Sequence, residues 1–289
     1  MEDKKILCYH HNDMDGRSAG AVVAHYFGIE DGANFHEVNY DGNLPDIENA
    51  KDFDQVIFVD YSFTEKTCNV LKDLIKKEVN VVWIDHHDSS IRLIKDHPEF
   101  EIPGIVKNGI SGAALAYMYF YNVQYDEIPY FLKLVSDYDC WILKLDPLSS
   151  YFKLGIDMVD SNPFSDTWKN LLNNPEKVSA VNVICETGKV IKMYVDKTNK
   201  ETLEAASFET ELGGHKCLAV NARGNSWVFG DKIKEYPLVC LFHYDKDKYE
   251  YSLYSNGYGN INCGKIAEKY GGGGHVKAAG FKSKKFIFG

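Results

Sequence analysis

The segment Ile84-Asp85-His86-His87-Asp88 constrains this chain most, because three other acid-rich segments accompany it. They are residues 10–16 (HHNDMDG), 59–62 (VDYS) and 136–139 (SDYD). Three of the four segments directly follow an apolar, strand-forming run, and the fourth ends an apolar, helix-like run. Parallel strands of an open α/β sheet place their ligands at one edge, so we expect these carboxylates and imidazoles to meet there. Such oxygen and nitrogen donors predict a hydrolase site with two divalent metal ions.

The pattern along the first half of the chain indicates an α/β fold. The predicted strands are residues 5–9, 55–59 and 80–84, and the predicted helices are residues 17–27, 64–77, 115–121 and 130–135. Alternation of strands and helices is typical of a mainly parallel sheet with flanking helices. We therefore predict a metal-binding catalytic domain over residues 1–165.

The rest of the chain is predicted to form a helical connector and a smaller α/β domain. Apolar residues at helical spacing indicate one long helix or two between residues 174 and 207, within a connector over residues 166–208. Short β-like runs return from Lys216, followed by a predicted helix over 263–270. We expect this C-terminal domain, residues 209–289, to carry substrate contacts beside a cleft that holds the active site.

The composition is that of an ordinary globular protein, with 45% hydrophobic and 26% charged residues among 289. No apolar run approaches the roughly 18 residues of a transmembrane helix, so no membrane is expected as a partner. The N-terminus does not have the pattern of a signal peptide. Seven cysteines without a C-x-x-C pair indicate reduced thiols and a cytoplasmic protein. The sequence is compatible with an oligomer.

The net charge of −10 is unevenly distributed. Residues 211–289 contain 12 basic and 7 acidic residues, whereas the other 210 residues contain 20 and 35. An acidic part that binds cations and a basic part that binds anions suit metal-assisted attack on a phosphate ester. The alternative is that the acidic and basic surfaces are simply exposed to solvent and bind no ligand.

The glycine-rich segment near the C-terminus is a candidate phosphate-binding loop, because glycines leave backbone N–H groups accessible to an anion. We expect Gly272, Gly273 and Gly274 to bind substrate together with His275, and Lys277 to add positive charge. A tight turn between a helix and a strand is the alternative. Arg223 is a candidate ligand for a far phosphate of the substrate, and a surface salt bridge is its alternative.

At these motifs the sequence resembles the DHH phosphoesterase family, named for the tripeptide at 85–87. Residues 266–281 (IAEKYGGGGHVKAAGF) resemble the signature of the DHH-associated C-terminal domain. The family includes RecJ-type nucleases, short-oligonucleotide nucleases, cyclic-dinucleotide phosphodiesterases and relatives of exopolyphosphatase. The last of the four acid-rich segments reads DYDCW from Asp137, whereas several subfamilies have D-T-G-x-F there. Tyr254 stands where many relatives have an arginine.

The resemblance implies a set of metal ligands in this sequence. They are His11, Asp13, Asp15, Asp60, His86 and Asp137. Asp60 is the implied bridging carboxylate, shared by an ion with His11 and Asp13 and by a second ion with the remaining three. Mixed imidazole and carboxylate ligands suit Mn²⁺, and also Zn²⁺, Co²⁺ or Fe²⁺, better than Ca²⁺. We therefore expect two Mn²⁺ ions. Taken singly, each aspartate could instead cap a helix or stabilise a turn.

Asp60, His87 and Asp85 are the predicted catalytic residues. His87 follows a ligand and should point differently, so we expect it to bind the scissile phosphate or assist proton transfer. Alternatively, His87 only orients Asp85 or another ligand. Asp85 is expected to support the metal site through contact with a neighbouring side chain and not with the metal itself. His10 alternates with His11 along a strand, so it should face the opposite side of the sheet.

The predicted function is metal-dependent hydrolysis of short single-stranded oligonucleotides to mononucleotides. No additional oligonucleotide-binding domain of the kind a processive nuclease uses is apparent. The alternatives are an exopolyphosphatase, a phosphatase acting on phosphoadenosine phosphate, and a cyclic-dinucleotide phosphodiesterase. Aromatic side chains that stack against bases would distinguish an oligonucleotide hydrolase from the phosphatase alternatives. The candidates are Tyr254, Tyr258 and Trp227. A non-catalytic nucleotide-binding module is the alternative from another class.

Overall fold

The computed structural model describes residues 4–39, 43–63, 67–257, 261–274 and 276–288. The chain divides into two compact units, Met1–Ile191 and Lys192–Gly289. The predicted division at residues 165 and 208 stays a prediction. In the described part of the chain, no helix is long and apolar enough to span a membrane.

The first unit is built on a five-stranded sheet of order β2-β1-β3-β4-β5, in which every pair is parallel. The strands are β1 (Ile6–His11), β2 (Phe35–Val38), β3 (Gln55–Val59), β4 (Val81–Asp85) and β5 (Gly104–Val106). Apolar residues of the central strands are buried on both faces, as expected for a parallel sheet covered by helices. The predicted α/β fold class is confirmed.

Helices cover both faces of this sheet, and each face has its own hydrophobic core. The helices of the unit are α1 (Met14–Phe27), α2 (Cys68–Lys76), α3 (Asp88–Asp96), α4 (Gly112–Tyr121), α5 (Tyr130–Asp139), α6 (Leu148–Ile156) and α7 (Asp166–Asn173). The long helix α8 (Val178–Ala206) follows and continues into the second unit. Short 3-10 helices cover Ile47–Asp52 and Tyr125–Glu127.

The second unit contains a six-stranded sheet of order β10-β11-β9-β8-β7-β6. Its elements are β6 (Ser207–Leu212), β7 (His215–Asn221), β8 (Leu238–Asp245), β9 (Lys248–Ser255), α9 (Cys263–Glu268), β10 (Gly273–Gly274) and β11 (Ala278–Ser283), with a 3-10 helix at Ser226–Lys234. Only β7 and β8 pair in parallel, and the other pairs are antiparallel. Apolar clusters lie on both sides of this mixed sheet.

Several elements have no counterpart among the predicted ones. The edge strands β2 and β5 are only partly buried, so they lack the continuous apolar run that reveals a central strand. Helix α3 is short and starts directly after the histidines, where the sequence pattern suggested no helix. The predicted helix over 64–77 corresponds to α2, and its first three residues lie outside the described residues.

Two glycines allow α6 and α8 to pack closely. A β-carbon on Gly188 would lie 1.7 Å from the carbonyl oxygen of Tyr151, and one on Gly155 would lie 2.1 Å from that of Ile184. Neither position can accept a side chain without separating the two helices, because backbone atoms cannot move aside alone. The helical spacing of the apolar residues predicted α8. The close contact between α6 and α8 was not predicted, because it depends on small residues in two segments that are distant in the sequence.

We expect Gly188→Ala to lower the free energy of unfolding by about 2–3 kcal/mol, because the added methyl group forces α6 and α8 apart. Denaturant unfolding followed by circular dichroism measures the change. Val183→Ala is the matched control on α8, since Val183 is 68% exposed and its change should stay within about 0.5 kcal/mol of the parent. An equally stable Gly188→Ala protein would contradict the close packing.

Candidate metal centre

Three adjacent strands deliver the residues of the site to one edge of the first sheet. His11 ends β1, Asp60 directly follows β3, and Asp85 ends β4. The register pairs His10 with Val59 and Val59 with Ile84, so the strands end side by side. Because all three strands are parallel, the residues at their carboxyl ends meet, as the sequence analysis predicted.

The Asp60 carboxylate lies at the centre of this edge. Asp60 has a φ of 51°, in the left-handed region that residues other than glycine seldom occupy, and is 1% exposed. Neither of its oxygens makes a hydrogen bond within the described residues, although His86 Nε2 lies 3.2 Å from Oδ1. A buried carboxylate without donors is costly unless a cation accompanies it. The surroundings of Asp60 therefore fit a metal ion.

One group of potential ligands lies on the β1 side of Asp60. His11 Nδ1 is 2.9 Å from Asp13 Oδ2 and 4.0 Å from Asp60 Oδ2. The other oxygen of Asp13 accepts a hydrogen bond from the Gly16 N–H at 2.9 Å, which caps α1 and fixes the carboxylate. These three side chains are close enough to hold one ion. They are the three residues predicted for the first metal.

A second group surrounds the His86 ring. His86 Nε2 lies 3.2 Å from an oxygen of Asp60, 3.2 Å from Asp139 Oδ2 and 3.6 Å from Asp15 Oδ2. The Sγ of Cys140 is 3.8 Å from the other ring nitrogen of His86. The group contains three of the four predicted ligands of the second metal, and Asp139 is an additional carboxylate.

Asp137 does not join this group, and the proposed ligand is corrected to Asp139. The Asp137 carboxylate accepts hydrogen bonds from the N–H groups of Lys144 and Leu145 at 2.8 and 3.0 Å, which stabilise the turn after α5. Residues two apart on a helix face different directions, so only one of the two aspartates can face His86. The motif Asp137-Tyr138-Asp139 does not reveal which one, because both are near the end of the same helix.

Gly112 was not identified from the sequence, yet it shapes the site. The N–H groups of Gly112 and Ala113, at the start of α4, donate to the Asp15 carboxylate at 2.6 and 2.9 Å. A β-carbon at position 112 would lie 2.7 Å from the Asp60 β-carbon. A helix N-terminus stabilises a negative charge beside it. The only available signal was the helix-start pattern Ser111-Gly112-Ala113.

His87 and Asp85 form a pair beside the metal ligands. His87 Nδ1 lies 2.8 Å from Asp85 Oδ1 and 4.0 Å from Asp60 Oδ1. Asp85 is fully buried, whereas the side chain of His87 is 34% exposed. The rings of His86 and His87 are 4.5 Å apart between centroids and tilted by 46°. The buried Asp85 carboxylate therefore orients the His87 ring through Nδ1, and the His87 side chain remains accessible to solvent.

The cluster is electrostatically strained without a cation. Burial, together with the charges of Asp15 and Asp13, raises the pKa of Asp60 well above its ordinary value. Burial and the Asp15 charge also raise the pKa of Asp139, to about 7. Burial opposes protonation of His86, but the Cys140 contact and the charges of Asp15 and Asp139 outweigh it and raise its pKa to about 10. All three shifts reflect the concentration of negative charge at this buried edge of the sheet.

The predicted substrate-binding residues lie in the second unit. Gly273 and Gly274 form β10 and pair with Gly280 and Ala279, and the Gly272 N–H donates to the Ala267 carbonyl at 3.0 Å. The Gly272 amide is therefore already used within the unit, which agrees with the tight-turn alternative at that position.

The other predicted residues of this unit are placed differently. Arg223 is exposed just after β7. Tyr254 is half-buried beside the core, and the Trp227 ring lies 5.4 Å from Lys192 Nζ. His275 and Tyr258 lie outside the described residues.

Residues 5–130 match the family model "DHH family, N-terminal domain". This part of the chain carries every proposed metal ligand except Asp139, and it is similar to the N-terminal domain of the DHH family. The family resemblance inferred from the motifs is thereby confirmed.

The chain is also similar to one protein in sequence and to two solved structures in fold. Oligoribonuclease NrnB of Bacillus subtilis (strain 168) is 21% identical, over 94% of this chain and 71% of that protein. The DHH domain of a member of the S1p family of ribosomal proteins has a TM-score of 0.60 at 16% identity, covering 98% of this chain and 84% of that one. The pGpG-specific phosphodiesterase PggH of Vibrio cholerae has a TM-score of 0.55 at 14% identity, covering 96% and 93%. The two structures share the fold of this chain.

We expect the metal-free protein to lose stability as the pH rises. The pKa values of Asp60, Asp139 and His86 are raised on folding, so the folded state binds more protons than the unfolded state above about pH 4. In a chelator, the free energy of unfolding should fall by about 2 kcal/mol or more from pH 5 to pH 8. Denaturant titrations at the two pH values measure it, and a flat or rising profile would contradict the charge cluster.

Matched asparagine variants separate the two aspartates of α5. Asp139→Asn should reduce this pH dependence and weaken Mn²⁺ binding in calorimetry, because it removes a carboxylate beside His86. Asp137→Asn should keep Mn²⁺ binding but destabilise the protein by about 1–3 kcal/mol at both pH values, because its carboxylate accepts two backbone N–H groups. The reverse assignment would show the opposite pattern.

Proposed function

We propose that this protein is a phosphoric ester hydrolase that cleaves short oligonucleotides to mononucleotides with the help of two divalent metal ions. The observation that carries the proposal is the buried Asp60 carboxylate, which makes no hydrogen bond within the described residues and lies next to two groups of ligands. A carboxylate shared in this way is typical of sites that hold two ions about 3.5–4 Å apart.

The residues divide between the two ions according to their distances. His11, Asp13 and Asp60 would hold one ion, and Asp15, Asp60, His86 and Asp139 would hold the other. Their mixture of imidazole and carboxylate groups favours Mn²⁺. Bound there, the ions would lower the pKa of a water nucleophile and offset the negative charge of the phosphate.

Of the polar side chains at this edge, His87 is the one that we assign to the substrate. His87 is accessible and is held by Asp85, so it contacts the scissile phosphate or moves a proton to the leaving oxygen. Asp15 receives two N–H groups from α4 and keeps its carboxylate aimed at the His86 side. Each of these groups is oriented before substrate arrives, which lowers the reorganisation needed during reaction.

The relatives support a substrate of nucleotide type. One is named an oligoribonuclease and another a pGpG-specific phosphodiesterase, and a linear dinucleotide suits both names. The second unit offers positive charge, with Gly273, Gly274, His275 and Arg223 as the proposed substrate contacts. The cytoplasmic location stays part of the proposal, and the seven free cysteines are consistent with it.

Product analysis with Mn²⁺ tests the proposal. The substrates are a 5′-phosphorylated dinucleotide, a long oligonucleotide, a cyclic dinucleotide and polyphosphate at equal phosphate concentration. We expect rapid release of mononucleotides from the dinucleotide and slow attack on the long strand. Phosphate release from polyphosphate alone would contradict the assignment of an oligonucleotide substrate. If none of the four substrates is turned over, the assignment as a hydrolase is contradicted.

Asp60→Ala is the control for the metal mechanism. It should abolish turnover of the dinucleotide and weaken Mn²⁺ binding without unfolding the protein, because the change removes a buried carboxylate that makes no hydrogen bond within the described residues. Retained activity would contradict the bridging role of Asp60.

A further inference from the structure

A row of serine hydroxyl groups lies behind the pair formed by His87 and Asp85. Ser90, in the first turn of α3, contacts Asp85 Oδ2 through its Oγ, and Ser62 Oγ is 3.0 Å from Ser90 Oγ. Ser89 Oγ in turn lies 2.5 Å from Ser62 Oγ. Asp85 and Ser90 are 0% exposed and Ser62 is 5% exposed, so this part of the row is shielded from water, whereas Ser89 at its outer end is half-buried.

The chemistry of the groups fixes the direction of these hydrogen bonds. The Asp85 carboxylate can only accept, so Ser90 donates its single hydroxyl proton to Oδ2. Ser62 must then donate to Ser90, and Ser89 must donate to Ser62. The other oxygen of Asp85 accepts from His87 Nδ1–H at 2.8 Å. Every donor in the row points toward the carboxylate, and neither Asp85 oxygen can turn without losing a buried hydrogen bond.

We propose that Ser90, supported by Ser62, is a positioning residue that acts through Asp85 to fix the orientation of His87. With Asp85 held at both oxygens, the Nδ1 side of His87 is tied to the protein and its Nε2 side is turned away from Asp85. Ser62 also lies two residues after Asp60, so the row connects the segment after β3 to the histidine that follows β4. The inference rests on the proposed function, because it assigns His87 a contact with substrate.

The first test is a double-mutant cycle on dinucleotide hydrolysis by the Mn²⁺-loaded protein. Ser90→Ala should lower kcat by about 10–100-fold, with KM and Mn²⁺ affinity close to those of the parent. It should also lower the melting temperature, because a buried Asp85 oxygen loses its donor. Ser62→Ala should give a smaller fall in the same direction, and Ser90→Thr should restore activity. In a His87→Ala background, Ser90→Ala should cause no further loss, because its effect passes through His87.

Ser149→Ala is the matched control, since Ser149 is 0% exposed and its hydroxyl makes no hydrogen bond in the described part of the chain. Its kcat should equal that of the parent. Additive losses in the double-mutant cycle, or a Ser90→Ala protein as active as Ser149→Ala, would overturn the positioning role.

A second readout does not depend on catalysis. In the Mg²⁺-loaded protein, the His87 Nδ1–H proton should give a slowly exchanging NMR signal, assigned by its loss in His87→Gln. Ser90→Ala should accelerate its exchange with solvent, and an unchanged exchange rate would overturn the inference. Should the wild-type protein leave dinucleotides intact while this exchange responds as expected, the proposed substrate fails and the positioning of His87 stands.

Discussion

The architecture of the site depends on one buried negative charge. Asp60 leaves β3 in a left-handed conformation and brings its carboxylate to a place where no backbone or side-chain donor of the described residues bonds to it. Neighbouring carboxylates raise the pKa of Asp60 further, so the folded chain without a cation holds an unfavourable electrostatic arrangement. A divalent ion bound beside Asp60 would relieve this arrangement, and its binding energy would then stabilise the folded chain.

The surrounding fold supports this charge in several ways. Gly112 lets the start of α4 approach Asp60, where a side chain would collide, and its N–H holds Asp15. The turn after α5 is fixed by Asp137, which leaves Asp139 at the helix end to face His86. Aspartates in similar sequence surroundings therefore have different tasks: some are candidates to bind metal, and others hold the backbone that positions them.

Much of the fold and of the site was predictable because parallel strands obey simple rules. The apolar runs before His11, Asp60 and Asp85 revealed three central strands, and their common direction predicted that the residues after them would meet. The choice between Asp137 and Asp139 was not predictable, since it depends on the rotation of α5 and on the loop that follows it. Gly112 and Ser90 were missed because their roles come from contacts with segments far away in the chain.

Anomalous diffraction from crystals grown with Mn²⁺ tests the central claim most directly. The account predicts two manganese peaks about 3.5–4 Å apart, one on either side of the Asp60 carboxylate. The peak nearer His86 should also be bound by Asp139, and Asp137 should remain bonded to the turn after α5. A single peak away from Asp60, or an Asp60 carboxylate that contacts no metal, would contradict the account.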